Sequence, residues 1–526
     1  MNNNAFKSPH GSGVRGSSSV AGSPLFEGKF GRMFRNLPAL EHSEDDLLAL
    51  AQAITMGDHD AKDGADGEES HIPAGYTYFG QFVDHDLTFD PASSLQKMND
   101  PDALVDFRTP RFDLDNIYGR GPDDQPYLYT GKKFILGTPL TGAMRNPFAH
   151  DLPRSNPPTG RKRAIIGDPR NDENVIVSQL ESTFHRFHNR LVDDCPTLSF
   201  AEVQTLVRWH YQYIVLNDFL PRLVNPEVID RILPNRQNSD DRVESLAPRL
   251  AFYHYRNDPY IPIEFSAAAY RLGHSMVRPG YRLNEDDATL LPIFNRMDPN
   301  GGLNSFDAFK SSWAIDWHRF LEMDHRHQTE TDRVQYAYKI DTSMVDPLKD
   351  LPGSVVGDEV MDGAPVLNLA FRNLLRGQQM GLPSGESVAL AMGLVPMQSE
   401  DVLIGKALEH PDEVDQPAMI TDISANFEGK TPLWVYILAE AAKNLRVHGQ
   451  ARLGPVGAQI VAEVFIGLLH GDPTSFLSVD PRWQPEIGKG ARFDLADFVK
   501  YAIEKAEPSP SLTAAIVVES TTAEVI

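Results

Sequence analysis

Apolar positions along the chain recur mostly at helical spacing. Leu180, Phe184, Phe187 and Leu191 form one such face, and Val203, Leu206, Val207, His210 and Ile214 form another. Thr431-Pro432 reads as a helix start, with a capping hydroxyl and then proline in the first turn. Gly449 and Gly454 close that helix and allow a next one from Pro455. The stretch Val456–Leu469 is apolar apart from interruptions such as Gln459 and Glu463, which predicts a buried helix too short to span a membrane. Alternating strand patterns are scarce, and Leu128–Leu136 predicts one small hairpin. With 39 prolines and 38 glycines, long loops must join the helices. The pattern predicts a mainly α fold with long loops and little strand, and shows no internal repeat.

Composition narrows the function classes. Of 526 residues, 41% are hydrophobic and 23% charged, enough for a large core. Residues 1–40 read as a flexible arm and lead-in, 41–506 as one domain, and 507–526 as a tail. The net charge of −24 repels phosphate backbones and argues against nucleic-acid binding. Cys195 is the single cysteine, so neither an internal disulfide nor a cysteine-built metal site is expected. The first twenty residues lack an apolar signal core and no segment reads as transmembrane. The expected location is therefore cytoplasmic, with signal-less secretion as the other route.

Five segments carry candidate chemistry. In YTYFGQFVDHDLTFD, Gln81 and His85 are four apart and share a helical face, while Asp84 and Asp86 diverge from His85 by about 100°. Spacing alone favours a histidine capped by local carboxylates. In RTPRFDLDNIYG, Asp113 and Asp115 alternate downstream of Thr109, and such a turn can gather oxygens around a hard cation or simply be a solvated loop. In GDPRNDENVIVSQL, Arg170 and Glu173 are three apart, either a surface pair or a cation placed to stabilise developing negative charge. In AAAYRLGHSMVRPGYR, Gly273 permits close approach of a flat ligand beside His274, whose imidazole suits an axial position on haem iron. NLLRGQQMGLP places Asn373 and Arg376 three apart.

These segments, in this order, resemble the animal-type haem peroxidase superfamily, the group of myeloperoxidase, peroxinectin and cyclooxygenase, and its bacterial-type members. The resemblance runs from about Ala74 to Leu469 and implies that family's helical fold. It implies an enzyme that reduces hydrogen peroxide through a ferryl intermediate and oxidises small organic donors, or halides and pseudohalides such as iodide, thiocyanate and bromide. His85 would be the acid–base group, Arg170 the distal cation and Gln81 the distal amide. His274 would ligate the iron of haem b, oriented by Asn373, with Arg271 and Arg376 on the propionates. Asp84 and Glu173 would form haem esters. Asp86, Thr109, the Arg111 carbonyl, Asp113 and Asp115 would bind calcium. Asn174 stands where myeloperoxidase has a haem-linked methionine, so chloride oxidation is not expected. Two alternatives remain: a fatty-acid dioxygenase of the same superfamily, disfavoured because Arg271 stands three residues before His274 where that enzyme has tyrosine, and a non-catalytic haem- or calcium-binding adhesion module.

Overall fold

The computed structural model describes residues 28–56, 67–89, 105–106, 108–234, 247–255, 259–286, 289–298, 301–323, 329, 331–356, 360–361, 364–407, 416–487 and 493–504. The N-terminal arm before residue 28 and the tail 507–526 lie outside them. The lead-in from residue 28 belongs to the folded body. Strand Gly28–Gly31 pairs antiparallel with Val105–Asp106 and parallel with Ile261–Pro262. Phe30, Met33 and Phe34 are buried, and Glu264 accepts the Met33 and Phe34 backbone N–H groups.

The architecture is helical, with α1 (Glu44–Ile54), α2 (Gly75–Leu87), α3 (Val175–Asp194), α4 (Phe200–Ile214), α5 (Leu369–Gln379), α6 (Leu433–His448), α7 (Pro455–Gly471) and α8 (Leu495–Ile503) as its longer helices. Strands are short and, apart from the three-stranded sheet, occur in pairs. One of these, Tyr129–Thr130 with Lys133–Phe134, is the hairpin the sequence predicted. The predicted apolar faces of α3 and α4 are buried, with Leu206 partly so. The α6 start differs from expectation. Pro432 occupies the cap position and makes no side-chain bond, which leaves Thr431 one residue too early: its hydroxyl has no partner among the described residues, and its N–H donates to Glu386. Gly449 closes α6 in the left-handed region at φ 66°, and α7 begins at Pro455 as expected.

α2 is fixed from several sides. The strand Glu69–Pro73 pairs antiparallel with Tyr336–Tyr338 and leads directly into it. Gly75 donates to the Phe320 carbonyl at 2.8 Å, and a Cβ there would sit 2.7 Å from that oxygen, so the close approach requires glycine. Phe82 stacks on Phe184 of α3 at 4.6 Å, and Phe79 meets Tyr211 of α4 edge-on. α4 runs into a π-helical turn, Val215–Phe219, which carries Phe219 into the wall of the central cavity. Among the described residues no helix is long and apolar enough to cross a membrane.

Candidate active site

His85 and His274 line one cavity of about 630 Å³, within the usual range for a cofactor site. α2 supplies Gln81, Asp84 and His85 to one side. A 3₁₀ turn, Pro169–Asp172, and the residues joining it to α3 supply Arg170, Glu173 and Asn174. A second 3₁₀ turn, Ala269–His274, supplies Tyr270, Arg271 and His274, and α5 supplies Arg372, Asn373 and Arg376. The sequence thus brought all nine expected catalytic and cofactor-binding side chains to one place. Asp84, about 100° round the helix from His85, also lines the cavity, and Asp86 does not.

His85 is buried and its Nδ1 lies 2.7 Å from Asn171 Oδ1. Burial, with the neighbouring Arg170 charge, pushes its pKa down to about 4, so the ring is neutral near pH 7. An amide oxygen only accepts, which places the proton on Nδ1 and leaves Nε2 with a lone pair. Arg170 donates to the His85 carbonyl at 3.0 Å and to the buried Asp168 carboxylate, while its guanidinium lies 4.5 Å from the Phe89 ring centre. Arg108 pairs with the same Asp168 and also lies 3.6 Å from Asp115, so it ties the anchor of Arg170 to the acidic loop. Gln81 is clamped at both ends, donating to Glu173 at 2.5 Å and accepting from Asn174 at 3.0 Å. Burial raises the Glu173 pKa to about 7 against the opposing pull of Arg170 and Gln81.

Elsewhere in the cavity lining, Asn373 Nδ2 lies 2.7 Å from His274 Nδ1, and among the described residues the other ring nitrogen has no hydrogen-bond partner. Burial, aided by Arg271, lowers the His274 pKa to about 3. A neutral imidazole with one nitrogen held and the other free is the donor that haem iron takes. If Nε2 ligates a metal, Nδ1 keeps its proton and the Asn373 amide turns its oxygen to it. The apolar lining, including Ile293, Leu351 and Leu369, together with Arg271, Arg372 and Arg376, also suits an apolar macrocycle carrying carboxylates. The residues present therefore fit haem.

One position along α2, Asp86 faces a separate cluster. Carboxylate oxygens of Asp86, Asp113 and Asp115 lie within 4.8 Å of one another, and neither oxygen of the fully buried Asp86 has a close partner among the described residues. Burial, reinforced by the neighbouring carboxylates, pushes Asp86 and Asp115 upward. Thr109 donates to Asp113 at 2.7 Å, and Arg111 is buried in the same loop. Gln212 of α4 donates to the Phe112 carbonyl, which fastens the loop.

Sequence reasoning missed Asn171, Asp168 and Arg372. The first two flank Arg170 inside the segment already singled out, but only folding shows what they face. Arg372 stands one helical turn before Arg376, a spacing that could have found it.

The family model described as animal haem peroxidase matches residues 96–474, a range that begins after His85 and includes Arg170, His274 and Asn373. A peroxidase-like protein of Margaritifera margaritifera is 26% identical over 400 residues, 64% of this chain and 47% of that protein. Thyroid peroxidase of Homo sapiens is 24% identical over 305 residues, 54% of this chain and 30% of that protein. The chain thus spans less than half the length of these curated relatives. Among solved structures, peroxidase A of Dictyostelium discoideum superposes with a TM-score of 0.58 at 16% identity, covering 91% of this chain and 93% of that one. Fatty acid α-dioxygenase of Oryza sativa gives 0.51 at 15%, covering 83% and 75%. At these identities the superpositions show a shared fold.

Proposed function

This chain belongs to the animal haem peroxidase family, and from that membership and its cavity we propose that it is a haem-dependent peroxidase acting on hydrogen peroxide and small electron donors. The carrying observation is that His85 and His274 face one cavity, each neutral and each held through Nδ1 by an asparagine. Bound haem would supply the iron that takes the peroxide oxygen and the electrons spent in breaking the O–O bond. His274 Nε2 would hold the iron, with Asn373 fixing the ring. Arg271, Arg372 and Arg376 would receive the propionates. Asp84 and Glu173 are the carboxyls available for ester links.

His85 Nε2 accepts the peroxide proton and returns it to the leaving oxygen, a role that suits a base neutral at working pH. Arg170, oriented by Asp168, stabilises negative charge on that oxygen. Gln81, clamped by Glu173 and Asn174, offers a fixed dipole beside His85. Organic donors, iodide, thiocyanate and bromide are the substrates proposed. Asp86, Asp113, Asp115, Thr109 and the Arg111 carbonyl would bind calcium, which suits hard oxygen ligands and would supply the missing partner for Asp86.

An absorption spectrum of the purified protein, before and after peroxide, tests the reading. A Soret band that changes on peroxide addition and returns when a donor is added is expected, and a protein with no Soret band after haem loading overturns it. Tyr270 lines the same cavity, which favours the dioxygenase as second reading, but its hydroxyl is committed to the Gly80 carbonyl at 3.2 Å. Oxygen uptake with linoleate, without peroxide, would replace the first reading by the second.

A further inference from the structure

Behind the cavity wall, α3 carries a buried acid and a buried imidazole that the peroxidase reading leaves unused. Asn171 meets His85 through Oδ1, whereas its Nδ2 has no close partner among the described residues. The Glu181 carboxyl, fully buried, reaches the Asn171 side chain loosely, with neither oxygen in tight hydrogen-bond geometry. One turn along α3, His185 Nε2 lies 3.4 Å from Glu181 Oε1, and its ring stacks on Phe134 with centroids 4.2 Å apart. Both His185 nitrogens lack a close partner as well. Buried polar atoms without partners destabilise a fold, so five in one place call for one explanation.

An asparagine alone does not determine which end of its amide faces a neighbour. If Asn171 turned round, its Nδ2 would face His85, and the ring proton would move to Nε2, the atom that must receive a proton from peroxide. A partner on the far side of the amide settles the choice. We propose that Glu181, backed by His185, holds the Asn171 amide with its oxygen toward His85, so that both are positioning residues for the base.

The pieces form a one-way chain of donors. His85 Nδ1–H donates to Asn171 Oδ1, the Asn171 amide donates to the Glu181 carbonyl oxygen, and the Glu181 O–H donates to His185 Nε2. This requires Glu181 and His185 to be neutral. Burial, the largest influence on each, raises the Glu181 pKa and lowers that of His185 to about 3. The charges facing Glu181 are Asp168, Asp172 and Arg108, and those facing His85 are Arg170, Asp168 and Asp84. Chained hydrogen bonds polarise one another, which strengthens the preference of the whole row for one direction.

The inference rests on the reading of His85 as the proton acceptor, and the tautomer can be measured apart from activity. The full chain, labelled with ¹⁵N-histidine and loaded with diamagnetic zinc protoporphyrin, reports the His85 tautomer, assigned by the signal lost in His85→Gln. The wild type is expected to carry its proton on Nδ1. In Glu181→Leu the Nε2-protonated form becomes the major one, and the iron-haem protein reacts with peroxide on the order of 10- to 100-fold more slowly. Glu181→Gln, which offers an acceptor to Asn171 and an N–H to His185, restores most of both. His185→Phe keeps the stacking and frees the Glu181 proton to compete for Asn171, so it gives a mixture of tautomers and supplies the test should the leucine variant fold poorly. An unchanged tautomer in Glu181→Leu or His185→Phe overturns the proposal, as does Glu181→Gln falling as far as the leucine variant. A wild type with the expected tautomer that does not react with peroxide would instead overturn the peroxidase reading and leave the positioning intact.

Discussion

His85 and Asp86 are neighbours on α2 and are buried almost equally, yet their surroundings differ in kind. His85 has a partner for Nδ1, a cation on its backbone carbonyl and a cavity before it. Asp86 reaches the Tyr211 hydroxyl and the Leu114 N–H only loosely, with neither oxygen in tight hydrogen-bond geometry, and looks onto two further carboxylates. The first region is completed by protein groups, whereas the second gathers three carboxylates with Arg108, 3.6 Å from Asp115, as the paired cation among the described residues. A buried carboxylate in loose contact only is costly, and two further carboxylates beside it raise the cost. Because the two residues share one helix, whatever satisfies Asp86 also sets where His85 stands.

The largest effects should separate the two cavity histidines. His274→Leu removes the imidazole proposed to ligate iron, and haem-loaded protein should lose its Soret band after gel filtration. His85→Leu should retain the band and react with peroxide about 10²- to 10⁴-fold more slowly in stopped-flow absorbance. Loss of haem in both variants would mean that the two histidines do not divide the work as described.

The acidic cluster should respond to a different reagent. Removing calcium with a chelator should lower stability by about 3 kcal/mol if the ion is present at a hundred times its dissociation constant. Haem should remain bound while the peroxide reaction slows, since the ion is proposed to act on His85 through α2. Asp113→Asn should blunt the chelator's effect on thermal unfolding. A wild-type melting curve indifferent to both chelator and added calcium would remove the ion from the account and leave Asp86 unexplained.

The two regions were not equally legible in the sequence. Helical spacing marked the buried faces of α3 and α4, because a 3.6-residue period is a local property. Gln81 and His85 share a face for the same reason. Spacing alone did not show that Asp84 shares the cavity with His85, because a cavity wider than one helical face admits neighbours about 100° apart. It also assigned a cap to Thr431, one residue before the position at which the helix begins. The links from His85 to Asn171 and from His274 to Asn373 span 86 and 99 residues. No period encodes such pairs. The second was anticipated only through the family resemblance, and the first was missed.

The smallest predicted effect concerns a third buried polar group, which protein partners alone complete. His188 on α3 places Nε2 2.8 Å from the Lys132 carbonyl and Nδ1 3.0 Å from the Tyr118 hydroxyl. The carbonyl must accept, so Nε2 carries the proton and Nδ1 accepts from the tyrosine. Burial lowers the His188 pKa from 6.5 to about 4. Between those two values the unfolded chain binds the proton and the folded one does not, so stability falls as pH drops through this window. The slope contributed is at most about 1.4 kcal/mol per pH unit. His188→Gln should flatten the acid limb of the melting temperature between about pH 6.5 and 4, whatever it costs at neutral pH. Since no ion is involved, the flattening should be the same with chelator and with calcium. A flattening that appears in only one of those two conditions would show that His188 is coupled to the acidic cluster, and the separation of α2's two faces would have to be redrawn.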